Sequence, residues 1–440
     1  MDYSILPEPS LMRVMYDAMI NGFSFPDDSY AYMIILYARY HGKSFRIALP
    51  YYKKMIILSD PDLFLELIKQ DGNKNTLSEI WPIQWFYRKN PSDTKPLGFV
   101  NADDEWRMRK RMTRELISKT TNLQPYEAQM RRISDECMIS KQFSSLNLHR
   151  KCQYLVTEVC MFMLLGRHMN LFTLTPNPLC IKMLKSIEIE NDAIGKIWYR
   201  PESQSLYEPY ESLARQVLID TRELFNSDEN KGLWTEFNKC PVKHTADFIG
   251  ILFTAPSTFT VFLQWLMYCL ARYPHTQESL RKDESGEYLK ALMREQHRRF
   301  PGASGLIRTA TATEELVAFM RFRQMDQSYV NGDPQLFLPE RWLSKLEQVN
   351  NYRDYLNPSI SPIQTVAEPH ESLTHALFAH SFGYGKRQCV ALTLLPFVCN
   401  IILKSLVETY ELRGVSSKTR AIQHMTIDPQ PDPEIQFILR

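Results

Sequence analysis

Residues 248–271, FIGILFTAPSTFTVFLQWLMYCLA, carry no charged side chain over a length that could span a bilayer. Such a run is either a membrane span or a helix surrounded by protein on every side, and the two demand different folds. Its threonine and serine hydroxyls, Gln264 and the mid-run Pro256 favour the second, because a lipid face offers those groups no partner. The chain must then build a helical body large enough to enclose a whole helix. With 440 residues, 44% hydrophobic and 23% charged, it has the apolar material to do so. A net charge of +2, from 52 cations against 50 anions, argues against a nucleic-acid binder that relies on a broad basic surface.

Helical spacing dominates from Glu105 to about residue 300, and Asp103 and Asp104 stand where a helix start needs caps. Spacing of the same kind returns after Cys389, where Val390, Leu394, Phe397 and Ile401 form one apolar stripe. Strand signals are few: SFRIALPYYKKMIILSD, 44–60, alternates apolar and polar residues about a proline turn and predicts a β-hairpin, and the C-terminal EIQFILR is strand-like. NPSISPIQTVAEPHES, 357–372, predicts an irregular connection. The eight cysteines include no C-x-x-C pair, so neither a disulfide framework nor a zinc site is expected. MDYSILPEPS has no apolar h-region and no Arg-rich pattern, so no targeting segment is visible.

The chemistry concentrates in HSFGYGKRQCVALTLLPF, 380–397. A cysteine at a helix start favours its thiolate, because free backbone N–H groups and the positive end of the helix dipole face the sulfur. Arg387 adds positive charge two residues earlier, and glycines let backbone approach a flat ligand without a Cβ clash. A cysteine behind a glycine turn is most often an ordinary core residue. Here Phe382, Gly385, Arg387 and Cys389 together spell F-x-x-G-x-R-x-C, which resembles the haem-binding loop of the cytochrome P450 family. The resemblance implies haem b with Cys389 as axial iron ligand and metal-binding residue, its thiolate pushing electron density that favours O–O cleavage.

Other landmarks fall in the family's order. EQHR, from Glu295 to Arg298, matches its E-x-x-R, and LPERW supplies Arg341 as third member of that structural set. At i and i+3 the acid and the arginine share a helix face, an arrangement that elsewhere is usually an exposed ion pair. LQWLMYCLAR, 263–272, resembles the segment following the oxygen groove in mitochondrial-type animal members. Aligning on Trp265 puts the groove on Thr254, Ala255, Pro256, Ser257, Thr258 and Phe259, so Thr258 takes the oxygen-side hydroxyl position and Ala255 lies against the haem, while Ser257 replaces the family's acid. Trp106 and Lys110 match W-x-x-x-R with lysine for arginine, and with Arg308 and Arg387 they are the implied propionate contacts. Their neighbours Arg107, Arg109, Arg111 and Arg114 read as a solvated cationic face. Lys290 and Arg294 resemble the pair through which mitochondrial members dock a ferredoxin, and equally suit ordinary solvation. The family's basic residues after the haem loop are missing, Ala391 replaces its glycine, Pro396 is unexpected within the following helix, and TATATEELVAFMRF lacks the Gly-Tyr-x-x-Pro hairpin.

The resemblance implies a mainly α fold: one cytochrome P450-like helical domain over 1–440, with a small β region near the N-terminus at 44–60. It also implies a central oxygen-groove helix at 245–272 and a haem-thiolate loop with its following helix at 380–412. The implied activity is a haem-thiolate monooxygenase inserting one atom of O2 into an apolar, sterol-like or lipid substrate, with electrons from a ferredoxin-type donor. The implied location is the matrix side of the mitochondrial inner membrane, with peripheral membrane association. Ser257 leaves open a haem-thiolate isomerase or dehydratase that acts on a lipid peroxide without external electrons, and segments shorter than the family's, such as the loop between Arg281 and the E-x-x-R helix, leave open a non-catalytic haem-binding protein.

Overall fold

Apolar residues at helical spacing dominate the sequence, and helices dominate the fold. The computed structural model describes residues 6–23, 25, 29–47, 55–59, 97–100, 103–118, 120–197, 219, 223–224, 231–239, 242–300, 302, 305–309, 316–320, 336–343, 382, 387–414, 418–423 and 426–440. Two N-terminal helices, α1 (Leu11–Asn21) and α2 (Ser29–Arg39), precede strands β1 (Phe45–Ile47) and β2 (Met55–Leu58). The helical body follows: α3 (Asp104–Ser118), α4 (Thr120–Met138), α5 (Lys141–Ser145), α6 (Leu148–Leu165), α7 (Pro178–Ile197), α8 (Trp234–Asn238), α9 (Val242–Arg272), α10 (His275–Arg281) and α11 (Glu287–Arg299). Strands β3 (Gly305–Thr309) and β4 (Leu316–Met320) come next, then α12 (Leu394–Thr409) and four short C-terminal strands, β5 (Tyr410–Arg413), β6 (Arg420–Gln423), β7 (Ile427–Gln430) and β8 (Gln436–Leu439).

The two strands of the hairpin predicted at 44–60 pair antiparallel, with Phe45 opposite Ile57 and Ile47 opposite Met55, and the expected turn between them lies outside the described residues. It does not stand alone, because β4 adds to β2 in parallel and β3 pairs antiparallel with β4, giving a four-stranded sheet in the order β1-β2-β4-β3. The segment lacking the Gly-Tyr-x-x-Pro signature is therefore nonetheless a strand pair. Strand structure extends well beyond the N-terminal region, since β5 pairs with β8 and β6 with β7 near the other end of the chain. The expected irregular connection at 357–372 lies outside the described residues.

The uncharged run becomes the core of α9. Residues 259–271 are all buried, and α6, itself almost wholly buried, packs along it. Trp265 is fixed at both edges, donating its indole N–H to the Ile427 carbonyl at 2.7 Å and stacking on Phe300 with centroids 4.2 Å apart. Protein therefore covers the second half of this run, from residue 259 onward, whereas Thr254 is exposed and Ser257 and Thr258 are half-buried. Val390–Thr409 is long and apolar enough to cross a membrane, and 56% of its most apolar window is buried in the same core. On the stripe predicted there, Leu394 and Ile401 are buried, and Val390 and Phe397 pack against the core from its edge. None of the described cysteines forms a disulfide.

Candidate active site

Cys389 caps a 3-10 turn, Val390–Leu392, and α12 begins only after Thr393. The sequence predicted a cysteine at the start of an α-helix; instead the N–H aimed at the sulfur is that of Ala391 in the tighter turn, at 3.4 Å from Sγ. The Cys389 amide donates to the Phe382 carbonyl at 2.6 Å, closing the loop on itself. Gly385, the remaining motif position, lies outside the described residues. Pro396 is the third residue of α12, where its missing N–H costs no hydrogen bond, so the proline is compatible with the helix. Cys389 is reachable from solvent although protein packs around its sulfur. Burial pushes the thiol above its ordinary range, while the Ala391 N–H and the Lys110 charge pull it back.

Helix α3 brings the predicted cations to this sulfur. Asp103 accepts from the Trp106 amide at 2.7 Å and fixes the first turn. The Trp106 ring, 4% exposed, then carries two cations, with the Arg387 guanidinium 4.5 Å and the Lys110 ammonium 4.9 Å from the ring centroid. Arg387 also donates to the Val100 carbonyl. The structure thus unites Trp106, Lys110, Arg387 and Cys389, which come from two segments nearly three hundred residues apart. One detail differs from expectation: the indole N–H donates to the Leu97 carbonyl at 3.1 Å, so recognition of an anion falls to the two cations. Arg308 sits in β3 opposite Val317, and its side chain lies outside the described part of the protein.

Arg109 corrects the reading of α3 as a solvated face. It is 3% exposed and grips Asp247 of α9 with Nε at 3.0 Å and Nη2 at 2.6 Å. The only sequence hint was that Asp247 is the last charge before the uncharged run. The same carboxylate accepts from the Leu97 amide at 2.8 Å.

The middle of α9 is polar on one face. Gly250, Thr254, Ser257 and Thr258 follow helical spacing and are half-buried or exposed, whereas Ile251, Ala255 and Pro256 are buried. Thr258 donates to the Thr254 carbonyl at 2.8 Å and Ser257 to the same carbonyl at 3.0 Å, while Thr254 turns back to Gly250 at 2.8 Å. These bonds use the hydroxyl protons and leave oxygen lone pairs directed away from the backbone. Thr258 and Cys389 make no direct contact.

Glu295 and Arg298 are completely enclosed on α11, and Arg341 joins them from the 3-10 turn Pro339–Trp342 at 3.2 Å. Nearer the solvent side of α11, Lys290 is exposed and paired with Glu287 at 2.6 Å, and Arg294 is half-buried one turn on.

No family model matches the chain. Curated relatives do: it is 23% identical over 412 residues to Cytochrome P450 302a1, mitochondrial, of Drosophila melanogaster, covering 80% of this chain and 78% of that protein. It is also 22% identical to Sterol 26-hydroxylase, mitochondrial, of Rattus norvegicus over 229 residues, 46% of this chain. The chain is thus similar, at 22–23% identity, to proteins named as mitochondrial cytochrome P450 and sterol hydroxylase. The Mus musculus sterol 26-hydroxylase matches at 22% over 249 residues, and this chain spans 40% of the mouse protein and 39% of the rat one.

The residues fit the haem that P450 relatives imply. Cys389 offers one sulfur donor with the Ala391 N–H and the Lys110 charge beside it, which suits a metal that brings its other ligands with it. Two cations on one indole beside that sulfur suit the carboxylates at the rim of the same group.

Proposed function

We propose that the protein is a haem-thiolate monooxygenase of the mitochondrial type. The observation that carries this reading is the convergence of Lys110 and Arg387 on Trp106 beside Cys389, which brings one sulfur donor and two cations able to bind carboxylates together. Bound haem would supply the oxygen chemistry: one atom of O2 enters a C–H bond, the other leaves as water, and two electrons and two protons complete the balance.

This chain's own residues have narrower tasks. Cys389 presents its sulfur with the Ala391 N–H and Lys110 favouring the anion, and Lys110 and Arg387 orient the propionate edge. The polar face of α9 supplies hydroxyls, of which Thr258 Oγ1 is the one in the family's oxygen-side position. The buried side of α9 keeps bulk water from the remainder of the core. A ferredoxin-type donor is the electron source, docking on the α11 face that bears Lys290 and Arg294. An apolar substrate of sterol or lipid type suits the names of the relatives. Peripheral membrane association finds support in α1, where Leu11, Met12, Met15, Met19 and Ile20 are exposed along one side, between 54% and 83%.

The test is the optical spectrum of the reduced protein with carbon monoxide. A strongly red-shifted band in the wild type that Cys389→Ser abolishes supports the reading, and an unshifted band in the wild type overturns it. One observation favours a second reading: the exposed face of α9 carries hydroxyls and no acid. A peroxide isomerase or dehydratase needs no acid there, and turnover of a lipid hydroperoxide without reductant would select it.

A further inference from the structure

The haem-facing cations are not held by their own helix alone. Asp247 of α9 binds the Leu97 amide at 2.8 Å and the Arg109 guanidinium at 2.6 and 3.0 Å, with the side chains of both ionic partners at most 3% exposed. Leu97 opens the 3-10 turn Leu97–Phe99. The Leu97 carbonyl takes the Trp106 indole N–H at 3.1 Å, and just beyond the turn the Val100 carbonyl takes the Arg387 guanidinium. One buried carboxylate therefore fixes three things: the amide end of the turn that orients Trp106, the helix that carries Trp106 and Lys110, and, through Val100, the loop that carries Arg387.

The position of Asp247 on α9 gives this arrangement a direction. Asp247 and Thr258 are eleven residues apart, about three turns, so they lie on nearly the same side of the helix. The clamp on the propionate-binding cations and the oxygen-side hydroxyl are thus attached to one helix, with Pro256 between them.

We propose that Asp247 is a positioning residue that sets the Trp106–Lys110–Arg387 cluster against the haem propionates and keeps it in register with α9. The inference rests on the haem-thiolate reading. Asp247 is buried and acts through the Leu97 amide and the Arg109 guanidinium that it binds. Asparagine at this position keeps an oxygen for the Leu97 amide but loses the charge that Arg109 requires, so the clamp loosens without losing side-chain volume.

The experiment compares wild-type holoprotein with Asp247→Asn and Arg109→Lys, and uses Glu158→Gln as a control for loss of a buried carboxylate elsewhere. Glu158, in the middle of α6, is 2% exposed and binds the Met169 amide at 3.0 Å. Haem transfer to excess apomyoglobin, the resonance Raman propionate bending bands and the thermal midpoint are read for each protein. Asp247→Asn should lose haem about tenfold faster, the scale of removing a supporting partner behind a ligand, with displaced propionate bands and the thiolate carbon monoxide band retained. Arg109→Lys, which keeps the charge and loses the two-pronged contact, should fall between, and it stands in if Asp247→Asn does not fold. Haem loss and propionate bands equal to wild type would overturn the proposal, as would the same acceleration in Glu158→Gln at a matched thermal midpoint. A wild type that binds no haem would instead remove the underlying reading.

Discussion

Arg298 donates to Glu295 with Nε at 2.9 Å and Nη2 at 2.7 Å, and neither side chain is more than 1% exposed. The carboxylate is shared further, with the Leu338 amide at 2.7 Å, the Trp342 indole at 2.9 Å and Arg341 at 3.2 Å. Two cations against one carboxylate would be unstable in a buried site without other acceptors. The Leu336 carbonyl supplies one to both, at 2.9 Å from Arg298 and 3.1 Å from Arg341. Glu295→Ala would strand two guanidinium groups, an indole and an amide at once, which should lower unfolding stability by about 3–5 kcal/mol or prevent folding. Urea unfolding followed by circular dichroism checks this, and Arg298→Lys, which keeps the charge but not the fork, should lose less.

Stability should depend on pH through His149. Burial would push this imidazole down, but Glu188, whose carboxylate lies 3.7 Å from Nε2, and Gln264, 3.1 Å from Nδ1, outweigh it, and the net shift is upward from 6.5. A group raised in the folded state contributes stability that is fully present below its unfolded value and is lost as pH rises through the folded one. Glu188 runs the other way. Burial opposes its charge, but His149, Arg150 and Gln153 together hold it below 4.5, so its contribution is lost as the solution becomes acid. Asp432, which binds the His149 amide at 3.0 Å, and Asp428 add negative charge from the C-terminal region. The urea midpoint should therefore decline from about pH 6 to pH 8, and His149→Gln should flatten that decline.

Much of this arrangement was legible because the signals are local. E-x-x-R spacing by itself puts Glu295 and Arg298 on one face of a helix, and the uncharged run announced the buried second half of α9, while Thr254, Ser257 and Thr258 mark its half-buried and exposed face. Arg109 was misread because alternating cations on an amphipathic helix look solvated until a partner appears, and its partner is 138 residues away. The same distance problem hid the Trp106 indole contact, since no spacing rule predicts that the Leu97 carbonyl competes for that N–H. The strand pair at 305–309 and 316–320 was missed because a turn signature was sought where sheet addition to β2 supplies the stabilisation.

Ser257 and Thr258 offer a direct test of proton handling. Both hydroxyls donate to the Thr254 carbonyl, so Thr258→Ala removes a hydroxyl but no bond to another helix. With a sterol probe, ferredoxin and its reductase, product formation should fall about a hundredfold, with reductant consumption falling less and hydrogen peroxide making up the difference. Ser257→Asp, on the same half-buried face, should raise product formed per reductant consumed. Unchanged coupling in both variants would move the proton route away from this face.

Lys290 is the cleanest probe of the electron source because its structural role is small. Its ion pair with Glu287 spans one helical turn on a surface where both side chains are more than half exposed, 58% and 64%. Losing such a pair changes stability by less than about 1 kcal/mol. Lys290→Glu should leave the thermal midpoint and haem content unaltered while raising the apparent KM for an acidic ferredoxin about tenfold, the lower end of what electrostatic steering supplies. The penalty should shrink as ionic strength rises, because exposed charges are screened. Arg294→Ala, from a half-buried position on the same face, should shift the KM in the same direction with a smaller salt dependence. A ferredoxin response identical to wild type in both variants would place the docking face elsewhere on the protein.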